Sequence, residues 1–168
     1  MRTKNNSIAI FFTIFMILGS AVAMSVLSNT SIAFAKHELV ANLSGQEEVP
    51  PVDTQATGMA EFTPVIPSNE TVDFNVNATN IQGVTAGHIH NAPQGENGEV
   101  VVTLFNFDSP QNEVSENGTI TAEVLEGPMQ GKTMADLITA MKDGSTYVNI
   151  HTEQNPNGEI RGQLMPIK

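Results

Sequence analysis

The sequence predicts an all-β fold, a Greek-key antiparallel β-sandwich or flattened barrel of about eight strands with one short helix. Three observations carry this. Short runs that alternate apolar and polar residues recur along the chain, bounded by Gly, Pro, Asn and Asp, as half-buried strands and their turns are. The links between runs leave no room for the helical crossovers that parallel strands need. A single segment, Thr133 to Lys142, has helical rather than strand periodicity.

The elements follow in order. His37 to Ser44 alternates, with Leu39, Ala41 and Leu43 on one face. Gly45 to Ala56 reads as a loop stiffened by Pro50-Pro51. Thr57 to Thr63 is the next strand, and Pro64, Pro67, Ser68 and Asn69 mark a turn. Thr71 to Thr79 alternates most clearly: Val72, Phe74, Val76 and Ala78 face inward, Asp73, Asn75 and Asn77 outward. Val84 to His90 precedes a turn-rich stretch, Asn91 to Gly98. Glu99 to Phe107, Thr119 to Leu125, Ser145 to His151 and Glu159 to Met165 complete the strands, the last two joined by the turn Thr152 to Gly158. In the helical segment Met134, Leu137, Ile138 and Met141 share one face. Thr133 with Asp136 forms a capping-box pattern, and Gly144 is placed to end the helix.

Residues 1–35 are set apart from this pattern. Arg2 and Lys4 precede the apolar run Ile8 to Leu18, and Ala33-Phe34-Ala35 is an A-x-A cleavage pattern, with Ala21-Val22-Ala23 a second. The segment reads as an export signal. The alternative is an uncleaved N-terminal membrane anchor over Ile8 to Leu27, about 20 residues and interrupted by Gly19 and Ser20. Both place the domain, residues 36–168, outside the cytoplasm, secreted or at the cell surface. Cleavage after Ala35 would leave 18 acids against five bases (Lys36, Lys132, Lys142, Arg161 and Lys168), a formal charge of −13.

Composition excludes several classes of function. The 168 residues include no cysteine, so disulfides, thiolate metal sites and a cysteine nucleophile are ruled out. A net charge of −11 argues against nucleic acid and against anionic lipid, leaving contact with a membrane to an uncleaved N-terminal segment. No Gly-x-Ser-x-Gly elbow, phosphate loop or dinucleotide fingerprint occurs, and no carboxylate pair reads as catalytic. Glu47-Glu48, Glu96 and Glu99 are expected to be solvated or to order their turns. Asn42, Asn69, Asn77 and Asn117 each begin an Asn-x-Ser/Thr sequon.

The histidines carry the chemistry. His88 and His90, in Gly87-His88-Ile89-His90, are two apart on a strand and project from one face. His151 ends the alternating run Val148-Asn149-Ile150-His151, on the outer face with Asn149 and Tyr147. If the two strands are neighbours, three imidazoles converge on an outer patch. Neutral imidazole suits Cu, Zn, Ni or Fe. Both histidine strands run into similar turns, Asn-Ala-Pro-Gln-Gly-Glu-Asn-Gly and Thr-Glu-Gln-Asn-Pro-Asn-Gly. His37 is a further metal candidate: after cleavage at Ala35 it would be the second residue, where a free amine, an amide and an imidazole can hold Cu(II). Arg161, the one arginine beyond the leader, is expected to form an ion pair with a carboxylate or to guide a small anion beside the metal.

Leu43-Ser-Gly-Gln-Glu-Glu-Val-Pro-Pro51, Ala86-Gly-His-Ile-His90 with Gly95-Glu-Asn-Gly-Glu-Val-Val-Val102, and Tyr147-Val-Asn-Ile-His-Thr152 with Asn155-Pro-Asn-Gly-Glu-Ile-Arg-Gly-Gln-Leu164 resemble the chordin-type (CHRD) domain over about residues 37–166. The resemblance implies an extracellular protein. In chordin these domains accompany cysteine-rich growth-factor-binding modules, which this chain lacks, so growth-factor antagonism is not implied. A more distant likeness is to copper/zinc superoxide dismutase, through His88, His90, His151 and Arg161. This chain lacks that family's cysteine pair and zinc-loop ligands. The expected function is therefore an exported domain that binds a transition metal through His88, His90 and His151, copper first and zinc as the alternative. Two others stand beside it: a cell-surface adhesion or protein-interaction module without metal, and a dismutase-like redox enzyme.

Overall fold

The computed structural model describes residues 39–65 and 70–167. The expected leader, His37 and the Asn69 sequon lie outside the described residues. Nine strands are formed: β1 (Leu39–Ser44), β2 (Thr57–Pro64), β3 (Val72–Thr79), β4 (Val84–Asn91), β5 (Glu99–Gln111), β6 (Val114–Ile120), β7 (Thr146–Thr152), β8 (Ile160–Gln163) and β9 (Met165–Pro166), with helix α1 (Met134–Lys142) between β6 and β7. They form one antiparallel sheet in the order β5-β4-β7-β8-β1-β2-β3-β6, and β9 pairs with β1. The strands β1 to β3 run as a meander, the link from β3 to β4 crosses to the other side of the strand order, and β5 joins β6 directly through residues 112–113. The two ends of the order, β5 and β6, are consecutive in the chain, and the sheet curls into a nearly closed barrel.

The inward positions fill the barrel. Leu39, Ala41, Leu43, Phe62, Val72, Val76, Ile89, Val102, Val148, Ile150 and Ile160 join one buried apolar cluster. Helix α1 adds Met134, Leu137, Ile138 and Met141 to it. The capping box expected at Thr133 forms in both directions: the Asp136 amide donates to Thr133 Oγ1, and the Thr133 amide donates to Asp136 Oδ2. Gly144 follows at φ 75°, a left-handed conformation that ends the helix at little steric cost.

Two strands differ from expectation. The run Thr119 to Leu125 is not a strand: β6 ends at Ile120, and Ala122–Val124 is a single 3-10 turn. β6 instead begins at Val114, paired residue by residue with β3. Its inward positions include Glu116 and Gly118, which erase the apolar alternation. Gly118 lies against the Phe74 ring, so a larger residue there would clash. β5 also runs on to Gln111, past Phe107, through residues too polar to signal a strand.

The opposite surface of the sheet is of two kinds. On β1, β3 and β6 the sequon residues Asn42, Asn77 and Asn117 point outward and are exposed. On β4, β7 and β8 the outward side chains are covered by three loops, and the candidate site lies there.

Candidate metal centre

β4 and β7 are paired, with Ala86 opposite His151, His88 opposite Asn149 and His90 opposite Tyr147. β8 continues the layer, placing Arg161 opposite Asn149 and Gln163 opposite Tyr147. Because side chains alternate across a strand, His88, His90, Tyr147, Asn149, His151, Arg161 and Gln163 all leave the sheet on the side away from the apolar core. The two histidine strands are thus neighbours. The ring centroids of His88 and His151 lie 4.7 Å apart, those of His88 and His90 5.8 Å, and those of His90 and His151 5.9 Å. Each imidazole offers one nitrogen to a set whose members all lie within 4.8 Å of one another.

This outer patch is not a solvated surface. His90 is only 8% exposed, and Tyr147, Asn149, Glu159 and Arg161 are buried with it. The loops after β1, β4 and β7 close over the layer, and the turns after the histidines hold the rings. His90 Nδ1 donates to the Gly98 carbonyl at 3.0 Å, and His151 Nδ1 donates to the Pro156 carbonyl at 3.0 Å. A carbonyl only accepts, so both Nδ1 atoms carry the proton and both Nε2 atoms keep a lone pair. Those two Nε2 atoms, with Nδ1 of His88, are buried and have no hydrogen-bond partner among the described residues. Buried polar atoms are almost always satisfied. Three orphaned ring nitrogens on converging imidazoles therefore form a donor set that fits a transition-metal ion, with backbone carbonyls fixing the tautomers as they do around metal-ligating histidines.

Electrostatics favour the neutral rings. Burial, with smaller contributions from His151 and His90, pushes His88 down to about 4. Burial also lowers His90 and His151, against the opposing hydrogen bonds to Gly98 and Pro156. Imidazole must be neutral to bind a metal; His88 stays neutral well into the acidic range, and His90 and His151 are shifted in the same direction.

Arg161 does not stand open beside the histidines. It is 2% exposed. Nη1 donates to Asn97 Oδ1 at 3.1 Å and Nη2 to the Glu96 carbonyl at 2.7 Å, both in the turn that ends at Gly98. Its guanidinium carbon lies 3.4 Å from the centre of the Tyr147 ring. That ring in turn stacks on His90, 4.8 Å between centroids and 7° from parallel. Its hydroxyl accepts from the Gly98 amide. The arginine thus fastens the turn whose last residue orients His90.

The carboxylates divide. Glu47, Glu96 and Glu99 are exposed, as expected. Glu48 is 5% exposed and accepts from Asn149 Nδ2 at 3.3 Å. Burial raises its carboxyl to about 7 despite the lowering influence of Arg161 and the Asn149 hydrogen bond. Glu159 is buried and accepts from Thr54, Thr152 and Asn155, tying the first loop to the last turn. Sequence reasoning missed Glu48, Asn149 and Tyr147 as parts of a buried layer. The signal available was alternation, which puts Tyr147, Asn149 and His151 on one face. What alternation could not supply was the loop cover.

The family model for the CHRD domain matches residues 39–164. The chain belongs to the CHRD domain family. The match covers β1 to β8 and all three histidines of the cluster. CHRD domains occur in extracellular proteins, in keeping with an extracytoplasmic domain that takes part in protein interactions. No curated protein and no solved structure matches the chain. The likeness to copper/zinc superoxide dismutase draws no support from these comparisons.

Proposed function

We propose that this CHRD domain is an exported protein that binds a transition-metal ion, copper before zinc, through His88, His90 and His151. The supporting observation is the set of three converging imidazoles, each with a buried ring nitrogen that has no partner among the described residues. The fixed tautomers and lowered proton affinities favour the same reading, since they prepare the lone pairs that a metal needs. The domain would store, buffer or hand on the ion. Calorimetric titration of the domain with copper and zinc tests this. One-to-one uptake that is lost in the His88→Ala/His90→Ala double variant is expected. No uptake by the native domain, or equal uptake by the variant, would overturn it.

Family membership favours a second reading, a cell-surface protein-interaction module in which the histidine layer only orders the loops. Replacing all three histidines would then leave partner binding intact. A dismutase-like enzyme remains the least supported function. Arg161 is enclosed by Tyr147 and the Asn91–Gly98 turn instead of facing an approaching anion.

A further inference from the structure

Accepting the three-histidine metal site proposed above, we infer that its cargo is the monovalent cuprous ion, and that Arg161 biases the site against divalent ions through its buried positive charge. Among the described residues the cluster supplies three neutral donors and no anionic one: its members are His88, His90 and His151. Among the described residues the buried carboxylates, Glu159 and Glu48, are not members of the cluster: Glu159 accepts from Thr54, Thr152 and Asn155, and Glu48 accepts from Asn149 through Oε2, its Oε1 having no partner. A divalent ion would therefore bring two positive charges into a buried layer without a ligand that neutralises either.

Arg161 adds to that imbalance. Its hydrogen-bond partners are an amide oxygen and backbone carbonyls, which solvate the guanidinium without cancelling its charge. Tyr147 lies on β7, between β4 and β8 in the sheet, so Arg161 and His90 occupy opposite faces of its ring. The two stacking distances place the cation roughly 8 Å from the His90 ring. At an effective dielectric of about 20, one extra unit of charge on the metal at that range changes a binding equilibrium by roughly an order of magnitude. Glu48 offsets this only in part, because burial holds its carboxyl half protonated near neutral pH. A cuprous ion meets less of this penalty. As a closed-shell d10 ion it also imposes no ligand-field geometry on three donors supplied by two adjacent strands.

The test is a pair of affinities for each protein: Cu(I), by anaerobic competition with a cuprous chelator, and Cu(II), by titration, with Zn(II) as a redox-inert divalent control. The wild type is expected to hold Cu(I) more tightly than either divalent ion. Arg161→Gln should shrink the Cu(I)/Cu(II) affinity ratio about tenfold, equivalent to about 59 mV for a one-electron couple. Arg161→Lys keeps the charge and should keep the ratio. Asn97→Ala loosens the turn while leaving the charge, and should also keep it. An unchanged ratio in Arg161→Gln, or an equal shift in Asn97→Ala, overturns the inference. So does a wild type that binds Zn(II) as tightly as Cu(I), a result that needs no variant to fold. Metal bound without preference contradicts this inference alone, whereas no metal bound contradicts the proposed function as well.

Discussion

Glu48 is a carboxyl group enclosed beside an amide, with Oε1 and the neighbouring Asn149 Oδ1 both lacking a hydrogen-bond donor among the described residues. Two acceptors in one buried pocket favour a proton on the acid. Burial accordingly lifts Glu48 from 4.5 to about 7. A folded-state value above the unfolded one means that Glu48 favours folding most below pH 4.5, and that this contribution is lost as pH rises through about 7. Glu48→Gln mimics the protonated acid. Its melting temperature relative to wild type should therefore be more favourable at pH 8 than at pH 5. A difference that does not depend on pH would show that Glu48 does not titrate in that window. The histidines have the opposite sign. Their folded-state values lie below 6.5, so the metal-free fold should lose stability as pH falls from about 6.5 to about 4. Denaturant titrations at intervals across that range would reveal the slope, and replacing His88 should reduce it.

Helix α1 and the two histidine turns are the elements whose roles can be tested separately from the metal. Thr133 closes a complete capping box, so Thr133→Ala should cost about 1 kcal/mol in urea unfolding and leave metal binding unchanged. Leu137 is fully buried at the centre of the helix face, and Leu137→Ala should cost about 2–5 kcal/mol. Gly158 adopts φ 128° where a Cβ would run into the Asn149 amide and the Glu48 carboxyl. Gly158→Ala should destabilise the fold and weaken metal uptake together, because it disturbs the turn that carries the His151 partner, Pro156. The helix, its cap and most strands were legible because periodicity and capping are local properties of sequence. The strand β6 was not, because a strand lined by Glu116 and Gly118 owes its pairing to β3 and to the bulk of Phe74. The histidine cluster was half legible: alternation gave the face, and two similar turns hinted at a common role. The adjacency of β4 and β7, and the loops that convert an outer face into a buried polar layer, are tertiary facts.

At the scale of the molecule, the CHRD barrel has two interiors. One is the apolar cluster inside the curled sheet, and the other is the polar layer between β4, β7, β8 and their loops. The second is held by Arg161, Glu159 and Glu48, residues from near the two ends of the described domain, so occupancy of the site should be felt by the whole domain. Metal that binds the folded state alone stabilises it by about 2.7 kcal/mol at a free concentration 100 times the dissociation constant. Copper should therefore raise the melting temperature, a chelator should reverse the rise, and the effect should fade toward pH 4 as the imidazoles take up protons. The most direct measurement is X-ray absorption spectroscopy at the copper edge of the loaded domain. Three imidazole nitrogens at a distance close to the ~2.0–2.1 Å of zinc–imidazole bonds, lost in the His88→Ala/His90→Ala variant, are what the three-histidine centre requires. A copper shell without imidazole scattering, or one unaltered in that variant, would contradict it.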